Sequence, residues 1–347
     1  MRAVALVAAL AAAGGPLAVR AEPPEIPGAR LDASGRFLNT AGPLERAGPL
    51  VTLPFFARRV WGALRLRPGA PERVANDGAW LRQNAGNRRP TVTWVGHATL
   101  LVQLGHASFL TDPSWSSTAS PVRFAGPRRF VPPGLALDAL PPIDFVLISH
   151  NHYDHLDIAT LRSLAERSAQ TVFYVPLGNG ALLRDAGIGN VRELDWGETA
   201  AEGELSIHCL PAQHWSQRGV FDARRALWSS WAVTGPDHRF YFAGDSGYFD
   251  GFGRIGERLG PFDLAALPIG AYQPVAMMKP AHLDPEEAVR AGSDLRASRL
   301  LAIHFGTFDL SDEPLVEPPR RFRSAGAAMG FDAAALWVMK IGETREF

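Results

Sequence analysis

The chain has 347 residues, of which 46% are hydrophobic and 20% charged, and its 35 basic and 35 acidic side chains leave no net charge. This composition is typical of an ordinary globular protein and argues against one that binds nucleic acid through a long-range positive field. The length allows one large domain or two ordinary ones. The single cysteine, Cys209, excludes an intramolecular disulfide and lies in an apolar run, where we expect it to be buried.

The first 21 residues predict a secretory signal peptide. Arg2 precedes an apolar run over residues 3–13, and small residues surround a cleavage point after Ala21. The run is short for a transmembrane helix. An uncleaved anchor or a disordered tail is the alternative. The prediction is export to a periplasm-like compartment.

Residues 22–88 are rich in proline, glycine and arginine and show no sustained hydrophobic period. They predict an N-terminal extension that packs on the core, with short helices such as one at residues 57–66. Within it, residues 53–67 mix aromatic side chains with arginines, a composition suited to a lipid interface. The same aromatics would serve equally well to pack the extension onto the core. Residues 89–347 contain no linker and predict one further domain.

From Thr91 onward, short β-rich runs predict antiparallel strands, and strands then alternate with helices. Helices are predicted from about Ile158, over residues 179–188, and after Asp284, which is the expected N-cap with proline in the first turn. The apolar character of the strands predicts an α/β layered fold with helices covering the sheets. Four predicted strands run apolar and then stop at a histidine or aspartate, in the stretches 144–150, 210–214, 240–245 and 300–304. Polar groups at such strand ends converge at one edge of a layered fold.

The stretch "ISHNHYDHLD" places His150, His152, Asp154 and His155 on the pattern H-x-H-x-D-H. Neutral imidazole and carboxylate are the ligands that zinc takes at neutral pH. One ion cannot comfortably use all four, because the local chain would have to fold back sharply. We therefore predict two ions, the first on His150 and His152 and the second on Asp154 and His155.

Each ion needs ligands from other strand ends. His214 would complete the first site, Asp245 would bridge both, and His304 would complete the second. Alone, each histidine is more often a packed or solvent-facing side chain, and Asp245 could cap a turn before Gly247. The clustered motif favours a ligand role for His214, Asp245 and His304 together, since its four residues cannot complete two metal sites alone. Two bridged metals bind a hydroxide of lowered pKa and stabilise both the attacking and the leaving oxygen.

These motifs and their surroundings resemble the metallo-β-lactamase superfamily and, within it, the N-acyl-phosphatidylethanolamine-hydrolysing phospholipase D family. Matching stretches run from about Trp94 to the C-terminus and include "WVGHATLLVQ", "PPIDFVLISHNHYDHLD", "PAQHWSQR", "RFYFAGDSGY" and "AIHFGTFDLS". The resemblance implies an αββα four-layer sandwich with an N-terminal arm, two zinc ions per chain held by the seven residues above, and a homodimer. The chain departs from the animal members near Met277 and in the arm, which leaves the acyl-chain preference open.

Four further residues are candidates for the site. Asp112 could accept a hydrogen bond from a ligating imidazole, or it could be a turn aspartate before a proline. His97 is expected to support the site without being a ligand. Tyr153 would line the substrate entrance or contact a phosphate oxygen, although a packing role competes. His282 precedes a helix start, where anions bind well, and would reach the substrate head group.

The resemblance implies hydrolysis of N-acyl-phosphatidylethanolamine to an N-acylethanolamine and phosphatidic acid by a hydroxide that bridges two zinc ions. Asp154 and Asp245 would be the catalytic residues, with Asp154 or a zinc-held water as the source of the leaving-group proton. A phospholipid substrate implies an exported protein that associates peripherally with a membrane. The alternatives are another hydrolase on the same site, such as a lactonase or a β-lactamase, and a non-catalytic metal-dependent binding protein.

Overall fold

The structure is a computed structural model that describes residues 25–62, 69–122 and 125–347. The predicted signal peptide lies outside the described residues, as does the end of the predicted interfacial segment. The described helices are α1 (Pro49–Gly62), α2 (Ala79–Asn87), α3 (Ile158–Arg167), α4 (Gly180–Asp185), α5 (Gly251–Leu259), α6 (Val275–Met278), α7 (Pro285–Asp294) and α8 (Glu317–Ala328). The described strands are β1 (Arg30–Leu31), β2 (Phe37–Leu38), β3 (Thr91–Gly96), β4 (Thr99–Leu104), β5 (Ala107–Thr111), β6 (Phe145–Leu147), β7 (Val172–Pro176), β8 (Val191–Leu194), β9 (Thr199–Glu202), β10 (Leu205–Leu210), β11 (Ser230–Thr234), β12 (Arg239–Phe242), β13 (Leu264–Pro268), β14 (Leu300–Ile303), β15 (Leu336–Trp337) and β16 (Thr344–Glu346).

Two seven-stranded sheets form the centre of the fold and share one pairing pattern. Their strand orders are β16-β3-β4-β5-β6-β7-β8 and β15-β14-β13-β12-β11-β10-β9. In each sheet one half pairs antiparallel and the other half, β5 to β8 or β12 to β15, pairs parallel. Parallel neighbours require crossover connections, and α-helices supply them here for every parallel pair except β5 and β6, whose described connection is a long loop with one 3₁₀ turn. The architecture therefore repeats although the sequence shows no repeat.

The sheets pack face to face and helices cover their outer sides. Phe109 of β5 and Phe240 of β12 meet between the sheets, with ring centroids 5.9 Å apart. On one outer side, Leu161 of α3 packs in a buried apolar cluster with the first sheet. On the other, Phe252 of α5 and Val289 of α7 join the main core. Burial of each such side chain stabilises the fold by about 1.5–3 kcal/mol. The layers are those of the expected αββα sandwich.

Two predicted helix starts are confirmed. The Asp157 side chain accepts hydrogen bonds from the first turn of α3, which begins at Ile158. Asp284 caps α7 through a capping box with Glu287, and Pro285 occupies the first turn. By contrast, α1 begins at Pro49 and not at residue 57. Its first turns carry no recognisable helix pattern, because a proline lies inside the helix and proline normally ends one.

The strands β6, β10, β12 and β14 are shorter than predicted, and each stops before the histidine or aspartate that was assigned to its end. Cys209 is buried in β10, as expected. Ile26 and Phe37 of the N-terminal extension are buried in the main core. The division of the chain at residues 21 and 88 stays a prediction. Among the described helices, none has the length and apolar character needed to cross a bilayer.

Candidate metal centre

Four loops at one edge of the sheets bring the seven predicted ligands together. They follow β6 with residues 150–155, β10 with His214, β12 with Asp245, and β14 with His304. The last three strands run in one direction, because β10 and β12 both pair antiparallel with β11 and β14 is parallel to β12 through β13. Six of the seven side chains are buried, and His152 is partly exposed.

His150, His152 and His214 form one group, which we call the three-histidine cluster. His150 Nε2 lies 2.9 Å from His152 Nδ1, and His214 Nε2 lies 3.3 Å from the same His152 nitrogen. The three nitrogens point at one volume that can hold an ion. The structure thus places His214, the residue expected to complete the first site, beside His150 and His152.

Asp154, His155 and His304 form a second group, which we call the aspartate cluster. Asp154 Oδ2 lies 3.3 Å from His155 Nε2 and 3.5 Å from His304 Nε2. The two Nε2 atoms are 3.1 Å apart. These atoms also surround a volume that can hold an ion.

Asp245 lies between the two clusters. Its Oδ2 is 3.2 Å from His155 Nε2, and its Oδ1 is 3.1 Å from His304 Nε2. The same Oδ2 is 3.9 Å from His214 Nε2 and 4.0 Å from His150 Nε2. One carboxylate therefore reaches both clusters, closer to the aspartate cluster.

Asp112 orients imidazoles in both clusters. Its Oδ2 lies 2.7 Å from His155 Nδ1 and accepts a hydrogen bond of 2.5 Å from Ser149 Oγ. Since the Ser149 proton is committed to Asp112, the Ser149 oxygen accepts from His150 Nδ1 at 2.9 Å. Both histidines then carry their proton on Nδ1 and turn the Nε2 lone pair toward the cluster. The structure places Asp112 in the supporting role and not merely in a turn.

His214 is held by different partners. Its Nδ1–H donates to the Ala281 carbonyl at 2.9 Å, which leaves Nε2 free for the cluster. Asn39 of the N-terminal extension accepts from the His214 backbone N–H at 3.1 Å and donates to its carbonyl at 2.9 Å. The extension therefore positions one of the predicted ligands.

The residues fit a pair of cations. Ligands about 2.0–2.1 Å from a tetrahedral zinc ion lie about 3.4 Å from one another. Within the clusters the facing atoms are 2.9–3.5 Å apart. In His150, His155 and His214 the other ring nitrogen is hydrogen-bonded to an oxygen, so Nε2 is the atom that each of these imidazoles offers to a cation.

The two clusters differ in charge. Burial and neighbouring imidazoles lower the pKa of His150 well below its usual value, and burial does the same for the pKa of His214. Burial opposes protonation of His155 as well, but the carboxylates of Asp245, Asp154 and Asp112 raise its pKa well above the usual value. The aspartate cluster is therefore the one that draws positive charge most strongly.

His97 contacts the aspartate cluster from behind. Its Nε2 lies 2.9 Å from Asp154 Oδ2, and burial lowers the pKa of His97 to about 3. A neutral imidazole in this position donates Nε2–H to the carboxylate. Its backbone N–H donates to Thr307 Oγ1 at 2.8 Å, and its carbonyl accepts from the His304 N–H at 3.1 Å. These contacts fit the expected supporting role.

The two predicted substrate contacts, Tyr153 and His282, have different surroundings. The Tyr153 hydroxyl donates to the Arg218 carbonyl at 2.9 Å, and the Arg218 guanidinium lies 4.0 Å from the Tyr153 ring centroid. The packing role considered for Tyr153 is thus present in the structure. His282 donates Nδ1–H to the Met278 carbonyl at 3.0 Å, and its Nε2 lies 3.4 Å from Asp245 Oδ2.

Comparison with known proteins decides the family. The model of the β-lactamase superfamily domain matches residues 108–305, more than half of the chain. The chain is 46% identical over 238 residues, covering 66% of it and 67% of the relative, to N-acyl-phosphatidylethanolamine-hydrolyzing phospholipase D 1 of Caenorhabditis elegans. This chain belongs to the metallo-β-lactamase superfamily.

A second relative and a solved structure agree. The mitochondrial N-acyl-phosphatidylethanolamine-hydrolyzing phospholipase D of Saccharomyces cerevisiae is 34% identical over 259 residues, covering 72% of this chain and 55% of that protein. A metallo hydrolase of the archaeon Ignicoccus hospitalis has the same fold, with a TM-score of 0.56 at 23% identity, covering 74% of this chain and 98% of that one. As a member of the superfamily related to the phospholipase D family, the chain is a metal-dependent hydrolase with a histidine and aspartate cluster able to bind metal.

Three supporting residues of this metallo-β-lactamase member were not found from the sequence. Ser149 directly precedes the ligand motif, but nothing in "ISH" shows that its hydroxyl links His150 to Asp112. Asn39 lies 175 residues from His214 in the chain, and no local pattern marks it. Arg218 follows the "PAQH" motif, yet its contacts become visible only when the loops are placed together.

Proposed function

We propose that this hydrolase is a zinc-dependent phosphodiesterase of the phospholipase D type that cleaves N-acyl-phosphatidylethanolamine. The observation that carries the proposal is the pair of ligand clusters with Asp245 between them, in a chain 46% identical to a phospholipase D named for that lipid. A site for two cations suits the displacement at phosphorus, where the attacking and the leaving oxygen both need stabilisation.

The reaction consumes one water. The water oxygen forms a bond to phosphorus, and the bond between phosphorus and the ethanolamine oxygen breaks. One water proton ends on the released N-acylethanolamine, and the phosphate remains on phosphatidic acid. Two zinc ions, when bound, lower the pKa of a water and neutralise charge on the phosphoryl oxygens.

The protein's own groups have distinct tasks in this proposal. The three-histidine cluster and the aspartate cluster would each hold one zinc ion, with the Asp245 carboxylate shared between them. Asp112, directly and through Ser149, holds His155 and His150 with Nε2 turned toward the clusters. Asp154, whose carboxylate also accepts from His97, is the protein group placed to exchange a proton with the leaving oxygen.

His282 is the proposed phosphate contact. Its side chain is 12% exposed, and its Nε2 lies beside Asp245, at the border between the clusters. Because its Nδ1–H is engaged by the Met278 carbonyl, Nε2 is the atom that would meet a phosphoryl oxygen, and it needs a proton to do so. Tyr153 contributes by fixing the loop of Arg218, since its hydroxyl already donates to that residue.

A phospholipid substrate requires a surface that meets a membrane. Helix α1 leaves Leu50, Leu53 and Phe56 exposed, while Phe55 is buried beneath them. Ion pairs from Arg59 to Asp309 and Asp312 fasten the helix to the segment that follows β14, on the edge that carries the metal centre. We propose that this face lies on the membrane surface. Export and pairing of two chains stay predictions.

Hydrolysis in water enriched with oxygen-18 tests the proposal. The zinc-loaded protein is expected to release N-acylethanolamine and phosphatidic acid in equal amounts, with the label on phosphatidic acid only, because water attacks phosphorus. An Asp154→Asn variant should be inactive, whereas Asp185→Asn, an exposed aspartate on α4, should not differ from the original chain. Cleavage of a lactone or a β-lactam with this lipid left intact would contradict the proposal and favour another hydrolase on the same fold.

A further inference from the structure

The loop between β10 and β11 ends in an exposed apolar tip. Val220 is 80% exposed and Phe221 is 86% exposed, among the largest values for apolar side chains in the described part of the chain. We call residues 218–222 the loop tip. Single exposed apolar residues are ordinary, but two adjacent ones at the end of a loop form a projecting apolar surface.

The loop tip has a fixed conformation. The Asp222 carboxylate accepts from the backbone N–H groups of Arg218 at 3.2 Å and Gly219 at 2.8 Å, which closes the turn beneath the two apolar side chains. Such hydrogen bonds to a carboxylate are stronger than neutral ones. Val220 and Phe221 are therefore held outward in a built turn.

The loop tip is also fastened to the metal centre. Arg218 Nη1 donates to the carbonyl of Asn151, inside the ligand motif, at 2.9 Å and to that of Leu156, directly after it, at 2.8 Å. The Arg218 guanidinium stacks on Tyr153, which lies between two predicted ligands. Because of these contacts, Val220 and Phe221 keep a fixed distance from the ligand loop, and so does any surface that binds them.

A second apolar projection lies on the same edge. The loop tip follows the end of β10, and α1 is fastened to the segment that follows the end of β14, so both lie on the edge of the metal centre. One turn before Arg59, helix α1 exposes Phe56 by 56%. Two separate apolar projections on the edge that carries the reacting groups suit a broad, flat partner better than a compact one.

The size of the tip also argues against a protein partner. A stable protein interface buries about 800 Å² on each side, whereas two apolar side chains supply roughly 300 Å². Arg224 and Arg225 lie shortly after the tip; Arg224 pairs with Asp32 at 3.3 Å, whereas Arg225 is exposed. A small apolar wedge with an exposed arginine nearby matches a bilayer surface, where the apolar groups enter the acyl region and the cation meets phosphate head groups.

We infer that Val220 and Phe221 insert into the lipid bilayer and thereby place the ligand loop of the metal centre close to the head groups. The inference rests on the proposed function insofar as the substrate is a membrane lipid, and it adds the surface through which this chain reaches it. The hydrogen bonds of Arg218, Asp222 and Tyr153 hold the tip in a fixed position relative to the ligand loop.

A fluorescent label at the tip tests insertion directly. Cys209 is the single cysteine and is buried, so a Phe221→Cys variant carries one reactive thiol for an environment-sensitive dye. Vesicles of phosphatidylcholine with phosphatidylglycerol should shift the emission to shorter wavelength. The control is Met329→Cys, a 46% exposed residue after α8. Because α8 joins the parallel strands β14 and β15, its end lies at the opposite edge, and the dye there should not respond.

A pair of activity measurements separates docking from chemistry. A Val220→Ser, Phe221→Ser double variant should partition to these vesicles at least about tenfold more weakly, since two apolar side chains are lost from the interface. Its hydrolysis of a water-soluble phosphodiester should be unchanged. A dye signal that does not change when vesicles are added would overturn the inference. A signal that depends on protein concentration without vesicles would also overturn it and would assign the tip to a dimer contact. If the original chain binds vesicles through the tip but leaves N-acyl-phosphatidylethanolamine intact, the proposed function fails while the docking surface stands.

Discussion

The three-histidine cluster and the aspartate cluster lie a few ångströms apart, yet they are built from different chemistry. The first consists of imidazoles, and one of them, His214, is held by a backbone carbonyl and by Asn39. The second contains Asp154 and is supported directly by the Asp112 carboxylate. The two clusters are therefore not equivalent, although the same short motif supplies ligands to both. The difference predicts separate affinities, separate pH responses and separate sensitivities to substitution.

The largest expected effect comes from removing the charge of the aspartate cluster. Asp154→Asn takes a buried carboxylate from a cation site, and breaking a buried charge pair costs about 3–5 kcal/mol, or about 10²–10⁴-fold in affinity. Metal analysis after dialysis should therefore show one zinc ion lost from each chain. His214→Ala should instead lower occupancy of the three-histidine cluster. If both variants lose the same ion, the two clusters are not separate sites.

Asp112 offers a way to weaken both clusters unequally. Asp112→Asn should lower zinc affinity about 10- to 100-fold, as loss of an outer hydrogen-bond partner does. The aspartate cluster should suffer more, because His155 contacts Asp112 directly, whereas His150 reaches it through Ser149. Competition with a chromogenic chelator measures both affinities. A Ser149→Ala variant should affect the three-histidine cluster alone, and an equal loss in both clusters would contradict this network.

The clusters should also respond differently to pH. Burial disfavours the charged form of His304, but Asp245 and Asp154 raise its pKa to about 9 in the metal-free protein, whereas burial lowers the pKa of His152 to about 4. Metal must displace the protons that the raised pKa values of His304 and His155 retain, so affinity of the aspartate cluster should rise between pH 7 and 9, by up to about tenfold per pH unit for each proton displaced. Affinity of the three-histidine cluster should be flat there.

Calorimetry in buffers of different ionisation enthalpy counts the protons released by each ion. Equal release from both clusters would contradict the assignment. In the metal-free protein the same raised pKa of His304 stabilises the fold fully below its ordinary value near 6.5, and this contribution disappears as the pH rises through about 9.

The smallest effect is expected from the N-terminal extension. Asn39→Ala removes two hydrogen bonds to the His214 backbone, each worth about 1 kcal/mol, and one from Trp228. Zinc affinity of the three-histidine cluster should fall a few fold while the aspartate cluster keeps its own. The chelator competition used for Asp112 resolves this difference. If only the aspartate cluster lost zinc affinity, the N-terminal extension would not act through His214.

Much of the metal centre could be predicted because short sequence patterns mark its residues. The H-x-H-x-D-H pattern places four ligands within six residues, and apolar strands lead into His214, Asp245 and His304. The layered α/β fold also follows from local signals, since continuous apolar strands are buried on both faces. The starts of α3 and α7 follow from their capping aspartates.

What the sequence did not reveal depends on contacts between distant segments. Asn39 contacts His214 although 175 residues separate them in the chain, and no short sequence pattern marks either residue as a partner of the other. The start of α1 is obscured by Pro54, which lies inside the helix because tertiary contacts such as the ion pairs of Arg59 outweigh a local preference. The role of Ser149 depends on which way one hydroxyl points, and that is decided by the placement of Asp112 after β5.

Anomalous X-ray diffraction at the zinc edge, from crystals of the zinc-loaded chain, tests the central claim most directly. Two peaks about 3.5–4 Å apart are expected, one among His150, His152 and His214 and one among Asp154, His155 and His304, with Asp245 contacting both. A single peak, or a second peak outside these two clusters, would contradict the account.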